Sequence, residues 1–168
     1  ACGTSKARLY HYYDSKDAIL FDLLDRHTQR LLTLIAQTEA KAQRQNLDDR
    51  AALHELVRAF LQEYETSATR HAALLNDTKF LSDASDAEYG NGSPRELILD
   101  RQRDIVAAMT RFLKRAYPGR LTATNQTALT MMLLGMINWT FTWLRPDGPI
   151  SYAAFAEEVI AMLENGMG

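Results

Sequence analysis

Residues 2–20 read CGTSKARLYHYYDSKDAIL, and this stretch decides how the rest of the chain is read. Gly3 marks a turn, and Ser5 is a good cap for a short helix carrying Lys6, Arg8, Leu9, Tyr10, His11 and Tyr12. Asp14-Ser15 breaks that helix, and Ser15 caps a longer one with Lys16 and Asp17 in its first turn. A short helix bearing Arg, Lys, Tyr and His, then a turn, then a long helix is the chemistry of a groove-reading helix-turn-helix. The short helix is expected over residues 5–12.

The pattern resembles the TetR family of one-component repressors, in which a small helical DNA-binding domain sits on an all-helical effector-binding domain. Gly3, Leu9, Tyr10, Tyr13, Ser15-Lys16, Ala18 and Leu20 carry the likeness. The chain opens inside this motif, so a first helix and most of a second are expected before Ala1. Groove reading falls to Thr4, Ser5, Lys6, Ala7 and Arg8, because Arg and Lys pair with guanine edges and a small Ala can meet a thymine methyl. Tyr10, His11, Tyr12 and Lys16 are expected on phosphates, Lys16 beside a helix N-terminus that itself attracts anions. The resemblance supports that division, since family positions matching Tyr10, His11 and Lys16 touch the DNA backbone. Leu9 and Tyr13 read as core.

Composition agrees with an all-α chain: 168 residues, 46% hydrophobic, with eight Gly and four Pro, enough for one good core. The net charge of −2 carries no global signal for nucleic acid. Within residues 1–30, Lys6, Arg8, Lys16, Arg26 and Arg30 face Asp14, Asp17, Asp22 and Asp25, so any binding surface rests on local basic density. The single Cys2 forms no internal disulfide and fits a reducing cytoplasm. The longest apolar run, residues 129–144, is too short and too rich in Thr and Asn to span a membrane.

Helical spacing continues from Ser15 through Ile19, Leu20, Leu23, Leu24, Leu31, Leu34 and Ile35 to about Ala42, long enough to connect two domains. Residues 1–42 are thus read as the remainder of a DNA-binding domain with its connecting helix, and 43–168 as a ligand-binding and dimerisation domain. Past the polar break KAQRQNLDD (41–49), Asp48 caps a helix with the stripe Leu53, Leu56, Val57, Phe60, Leu61 and Tyr64. A shorter helix is expected around 70–81, then an acidic loop, SDASDAEYGNG (82–92). Ser93-Pro94-Arg95-Glu96 is a capping box with proline in the first turn, opening a helix that Pro118-Gly119 stops. Another is expected from 122–124 to about 144, and Ser151 caps the last, which stops at Gly166.

Between Met131 and Trp143 the chain is apolar nearly all round, so more than one face must be covered. One reading is a central core helix. The other is a dimer interface shared with the last helix, where Phe155, Val159, Ile160, Met162 and Leu163 repeat at helical spacing; the resemblance implies a homodimer built on a four-helix bundle from the last two helices of each subunit. Asn138 is the polar exception, and a buried amide either pairs with internal groups or meets a ligand. An effector cavity is expected among helices 53–67, 70–81, 94–117 and 124–144, with Phe60, Tyr64, Phe80, Met132, Met136, Trp139 and Trp143 as walls and Asn138 and Arg103 on a polar head. GMINWTFTWLRPDGPIS (135–151) resembles TetR regulators that respond to acyl-CoA thioesters, which implies an acyl-CoA among the effectors. Arg101 and Arg103 would otherwise form surface ion pairs with Asp100 and Asp104.

His27, His54 and His71 lack metal-ligand spacing and read as ordinary surface or half-buried histidines. Asp83, Asp86 and Glu88 do not match a calcium loop. No nucleophile elbow, dinucleotide fingerprint, phosphate loop or HExxH occurs, so no metal, cofactor or catalytic residue is expected. The expectation is a ligand-responsive transcriptional repressor, dimeric on a near-palindromic double-stranded operator. Its rivals are a small helical enzyme or carrier for lipid-like thioesters, and a bare helical dimerisation module.

Overall fold

The computed structural model describes residue 13 and residues 15–84 and 92–167. Five α-helices account for most of them: α1 (Lys16–Gln45), α2 (Asp49–Asp77), α3 (Pro94–Ala116), α4 (Gln126–Asn138) and α5 (Tyr152–Met167). Short 3₁₀ turns extend α2 (Thr78–Phe80) and α4 (Trp139–Thr142).

The caps fall where hydroxyl and carboxylate side chains precede each apolar stripe. Ser15 Oγ accepts from the Ala18 N–H at 3.1 Å, and Asp48 Oδ1 accepts from Ala51 at 2.7 Å. Ser93 and Glu96 close a reciprocal capping box, each bond 3.1 Å, and Ser151 Oγ accepts from Ala154 at 3.1 Å. These bonds satisfy N–H groups that a helix start leaves unpaired. At the end of α1, Asn46 takes the left-handed conformation (φ 55°), and the Leu47 N–H reaches back to the Ala42 carbonyl at 3.0 Å. A second helix can therefore fold back along the first.

Two expected boundaries change. The separate helices at 53–67 and 70–81 are one run bent at Ser67 (φ −125°, ψ 24°). Ser67 Oγ donates to the Glu63 carbonyl at 2.7 Å, a hydroxyl back-bond that bends a helix without ending it. The helix expected to reach 144 stops as α-helix at Asn138. Thr140 and Thr142 donate their hydroxyls to carbonyls three residues back, Ile137 and Trp139, and the chain tightens into 3₁₀ geometry before Pro146.

α2 is the central element and touches the other four helices. Its buried face (Leu53, Leu56, Val57, Phe60, Leu61, Tyr64) meets Leu24, Leu31 and Ile35 of α1, Met109, Phe112 and Leu113 of α3, and Val159, Ile160 and Leu163 of α5 in one core. Ion pairs clip α5 to α2 at its rim: Arg58 holds Glu157 with bonds of 2.7 and 2.9 Å, and Glu164 takes bonds from Arg50, His54 and Tyr117. The bond from Tyr117 is first among the causes holding the Glu164 carboxyl below the usual range, while burial raises the Tyr117 phenol to about 12. No helix among the described residues is long and apolar enough to cross a membrane.

Candidate functional site

A cavity of about 380 Å³ opens between α1, α2, α3 and α4. Its apolar wall is Leu31 from α1, Leu74 and Leu75 from α2, Leu99, Ile105 and Val106 from α3, and Met131 and Leu134 from α4. Polar groups sit at two places. Tyr64, His71 and Asn138 form one group; Thr78, Lys79 and Arg95 form the other. Tyr64 and Lys79 stand roughly 20 Å apart along α2 and its extension, at about 1.5 Å per residue. Gln102 Nε2 donates to the Leu74 carbonyl at 3.3 Å and ties α3 to α2 between them. Arg95 donates to Asp83 at 2.8 Å, and its Nε is buried without a hydrogen-bond partner.

The inner polar group is built on a histidine pair. His27 Nε2 and His71 Nδ1 lie 3.3 Å apart, both residues 1% exposed, joining α1 to α2 across 44 positions of sequence. The His71 ring stacks on Tyr64 (centroids 3.7 Å, planes 22° apart) and meets Phe141 edge-on at 6.4 Å. The Tyr64 hydroxyl donates to Asn138 Oδ1 at 3.0 Å. Burial drives the His27 pKa down to about 4, with Glu63 opposing and Arg70 adding to the shift. Burial and the neighbouring His27 take His71 down to about 3, against the Asn138 backbone carbonyl, which favours the protonated ring. Both imidazoles are therefore neutral near pH 7. Burial likewise raises the Tyr64 phenol far above its ordinary value, so it remains a donor.

Of the residues expected on the cavity, Tyr64 and Asn138 line it. Phe60 does not: it is fully buried in the core between helices. Phe80, Met132, Trp139 and Trp143 are 63%, 64%, 57% and 50% exposed and form no part of its wall, and Met136 is half-buried against the core. Arg103 pairs with Asp100 on the surface, whereas Arg101 reaches across to Asp25 of α1 and not to Asp100 or Asp104. The reading of His27 and His71 as surface or half-buried residues is corrected, because each sits at a helix crossing that the other fills. Reading by helical stripe passed over His71, Gln102 and Arg95. The one available signal was that His27 and His71 recur at the apolar spacing of their helices.

The helix that is apolar all round does have two kinds of face. Leu133, Leu134 and Ile137 turn inward. Ala128, Met132, Gly135 and Trp139 lie along the other side at helical spacing, all exposed, with Met131 at the border between this face and the cavity, and a Cβ at Gly135 would meet nothing within 4 Å. Trp143 extends this face edge-on against Phe155 of α5 at 5.1 Å, and Ala154, Glu158, Ala161 and Met162 continue it. Here the expected interface residues are corrected: Val159, Ile160 and Leu163 are 1%, 7% and 5% exposed within their own subunit, and only Phe155 is half-exposed. Helical spacing identified the apolar stripe of α5, and α2 takes that stripe.

On the DNA side, Thr4, Ser5, Lys6, Ala7, Arg8, Tyr10, His11 and Tyr12 lie outside the described residues. Lys16 is exposed in the first turn of α1, and Tyr13 is half-buried with its hydroxyl on Asp22 at 2.5 Å.

Residues 46–167 match the family model of the tetracyclin repressor-like C-terminal domain. A TetR-family transcriptional regulator from Bordetella parapertussis 12822 is 32% identical, with a TM-score of 0.82, covering 96% of this chain and 78% of its own. The chain belongs to the TetR family.

Two further TetR structures share the fold. PfmR from Thermus thermophilus is 24% identical, with a TM-score of 0.73 over 98% of this chain and 83% of its own. AibR, solved with isovaleryl coenzyme A and operator DNA, is 19% identical, with a TM-score of 0.72 over 94% and 80%. No curated protein matches the chain significantly. TetR proteins are transcriptional regulators, so this chain is a regulator and not an enzyme, and the carrier and bare-module alternatives fall with it.

Proposed function

We propose that this TetR protein is a cytoplasmic, homodimeric repressor released from a near-palindromic operator by an amphipathic ligand of the acyl-CoA type. The observation that carries this reading is the cavity itself. It is apolar along its length, has Lys79 and Arg95 in one polar group, and is walled on one side by α1, the helix that leads from the DNA-reading segment. A flexible acyl chain suits the Leu, Ile, Val and Met wall. The two cations suit the phosphates of coenzyme A, and Arg95 Nε is an unfilled donor there. That AibR was crystallised with isovaleryl coenzyme A supports the same class of effector. Release follows if the ligand binds a conformer with the wrong spacing between recognition helices better than the DNA-competent one.

The test pairs thermal shift with operator retardation, using hexanoyl-CoA, isovaleryl-CoA and free CoA. Ligand that binds only the folded state raises its melting temperature. Both thioesters are expected to stabilise the protein and release DNA, and free CoA to do neither. Val106→Trp, which fills the cavity from α3, is expected to abolish the shift while operator affinity stays near wild type. Trp143→Ala, on the exposed outer face, is expected to leave the shift intact. A panel in which no acyl-CoA moves the melting point sinks the effector class.

DNA contacts are tested separately. Arg8→Ala is expected to cost about 1–3 kcal/mol on the cognate operator and to relax sequence preference. Lys16→Ala is expected to weaken all sequences alike and to flatten the salt dependence by about one phosphate contact. Equal specificity ratios for Arg8→Ala and wild type would remove Arg8 from the reading face.

A further inference from the structure

The neutral histidine pair between α1 and α2 leaves two buried ring nitrogens over, and only one of them belongs to a residue on the cavity wall. With one hydrogen shared between His27 Nε2 and His71 Nδ1, His27 Nδ1 and His71 Nε2 are both buried without a partner. Only His71 lines the cavity. Two tautomer arrangements are open to the pair. If His71 donated from Nδ1, His27 would bury an unpaired Nδ1–H at a helix crossing closed to ligand. If His27 donates from Nε2, the unpaired N–H is His71 Nε2–H, on the ring that borders the cavity. The second arrangement is favoured because an unmade N–H bond is tolerable only beside a cavity, where a ligand can come to make it.

The ring is also held in place. It is stacked on Tyr64 and closed edge-on by Phe141, so its orientation is fixed and a small shift of the wall is what would open Nε2 to the cavity. Tyr64 occupies Asn138 Oδ1, which leaves the amide nitrogen of Asn138 as a second donor on the same wall. No carboxylate lines the cavity, so the acceptor near these donors is the neutral Asn138 backbone carbonyl, which a ligand carbonyl would have to displace or share. Of the charged groups around the pair, Glu63 and Arg70 both act on His27.

We propose that His71 is the residue by which the cavity distinguishes an acyl thioester from an alkyl chain: its Nε2–H donates to the thioester carbonyl oxygen, Asn138 Nδ2 assists, and His27 fixes the required tautomer from α1. This rests on the acyl-CoA reading above and adds to it the group that is recognised. It also puts the recognised oxygen two hydrogen bonds from α1, so ligand is sensed at the helix that leads to the DNA-reading segment.

The test is a matched pair of probes, hexanoyl-CoA and S-hexyl-CoA, identical except that the second lacks the carbonyl. In calorimetric titration of the full chain the thioester is expected to bind roughly tenfold or more tighter, the scale of one buried hydrogen bond gained. His71→Phe is expected to keep S-hexyl-CoA binding and bring the ratio close to one, and His71→Gln, which retains a donor, to restore part of it. Nitrogen-15 shifts of the wild-type imidazoles provide a readout that survives any variant that fails to fold. His71 Nε2 is expected to be protonated in the free protein and to move with hexanoyl-CoA but not with S-hexyl-CoA. In His27→Phe the His71 signals are expected to show mixed tautomers. Equal binding of both probes to wild type, or an unchanged ratio in His71→Phe, overturns this proposal and leaves the acyl-CoA pocket standing. Failure of both probes to bind overturns the two together.

Discussion

Glutamate at both Met132 and Trp139 is expected to turn the proposed homodimer into a folded monomer that does not hold the proposed operator. Both side chains are more than half exposed in the single subunit, 64% and 57%, so the change costs the isolated fold little, within about 0.5 kcal/mol per site. In a two-fold dimer built on this face the pair becomes four carboxylates, each repeated across the axis. Burying an unpaired charge costs on the order of 3–5 kcal/mol, far more than a marginal interface can absorb several times over. Sedimentation velocity is expected to show half the mass, with helical circular dichroism and melting close to wild type below the dimer's own contribution. Operator affinity should collapse, because one recognition segment then meets one half-site.

Val159→Glu separates this face from the core. Val159 is 1% exposed and packed inside its own subunit, so a glutamate there is expected to unfold the chain. An intact dimer in the Met132, Trp139 double variant would move the interface elsewhere. A stable monomeric Val159→Glu would mean that α5 does not close the core.

The contrast shows where sequence reading reached and where it stopped. Ser15, Asp48, Ser93 and Ser151 announced their helices because a cap is a local event, written in three or four consecutive residues. The apolar stripe of each helix was equally legible. Which neighbour a stripe meets was not, since period identifies a face and not its partner. Val159, Ile160 and Leu163 fit an interface and a core equally well until α2 is seen to cover them. Trp139 and Trp143 were drawn into the cavity by their chemistry, yet Leu133, Leu134 and Ile137 take the inward side of that helix and turn the tryptophans out.

The cavity's polar groups come from pairings at long range. His27 and His71 are 44 positions apart, and no local rule joins them. By sequence, Arg103 is the candidate for a polar head, and Arg95 only part of a helix start. Their places on α3 decide between them: Arg103 lies 71% exposed beside Asp100, while Arg95 lines the cavity. Residue chemistry cannot say which members of a type face the cavity; tertiary packing decides that.

Acid is expected to expose that long-range pairing as a loss of stability that starts well above the carboxylate range. In the unfolded chain both histidines titrate near 6.5; in the folded protein burial holds His27 at about 4 and His71 at about 3. As pH falls through 6.5 the unfolded state takes up protons that the folded state refuses, so stability drops with falling pH until about pH 4. At pH 5 each histidine accounts for about 2 kcal/mol on its own, so the pair should cost roughly 2–4 kcal/mol relative to pH 7.5. Glu55, Glu157 and Glu164, held low chiefly by bonds from Lys41, Arg58 and Tyr117, lose their pairing only below that window. Urea unfolding at pH 7.5, 6 and 5 is therefore expected to show a falling midpoint, with most of the loss between pH 6.5 and 5. His27→Leu with His71→Leu removes both titrating groups and replaces them with apolar volume at the same crossing. That variant should show a nearly flat midpoint over the same range, even if it is less stable throughout. A slope equal to wild type would place the acid sensitivity elsewhere and mean that the pair is open to water in the folded state.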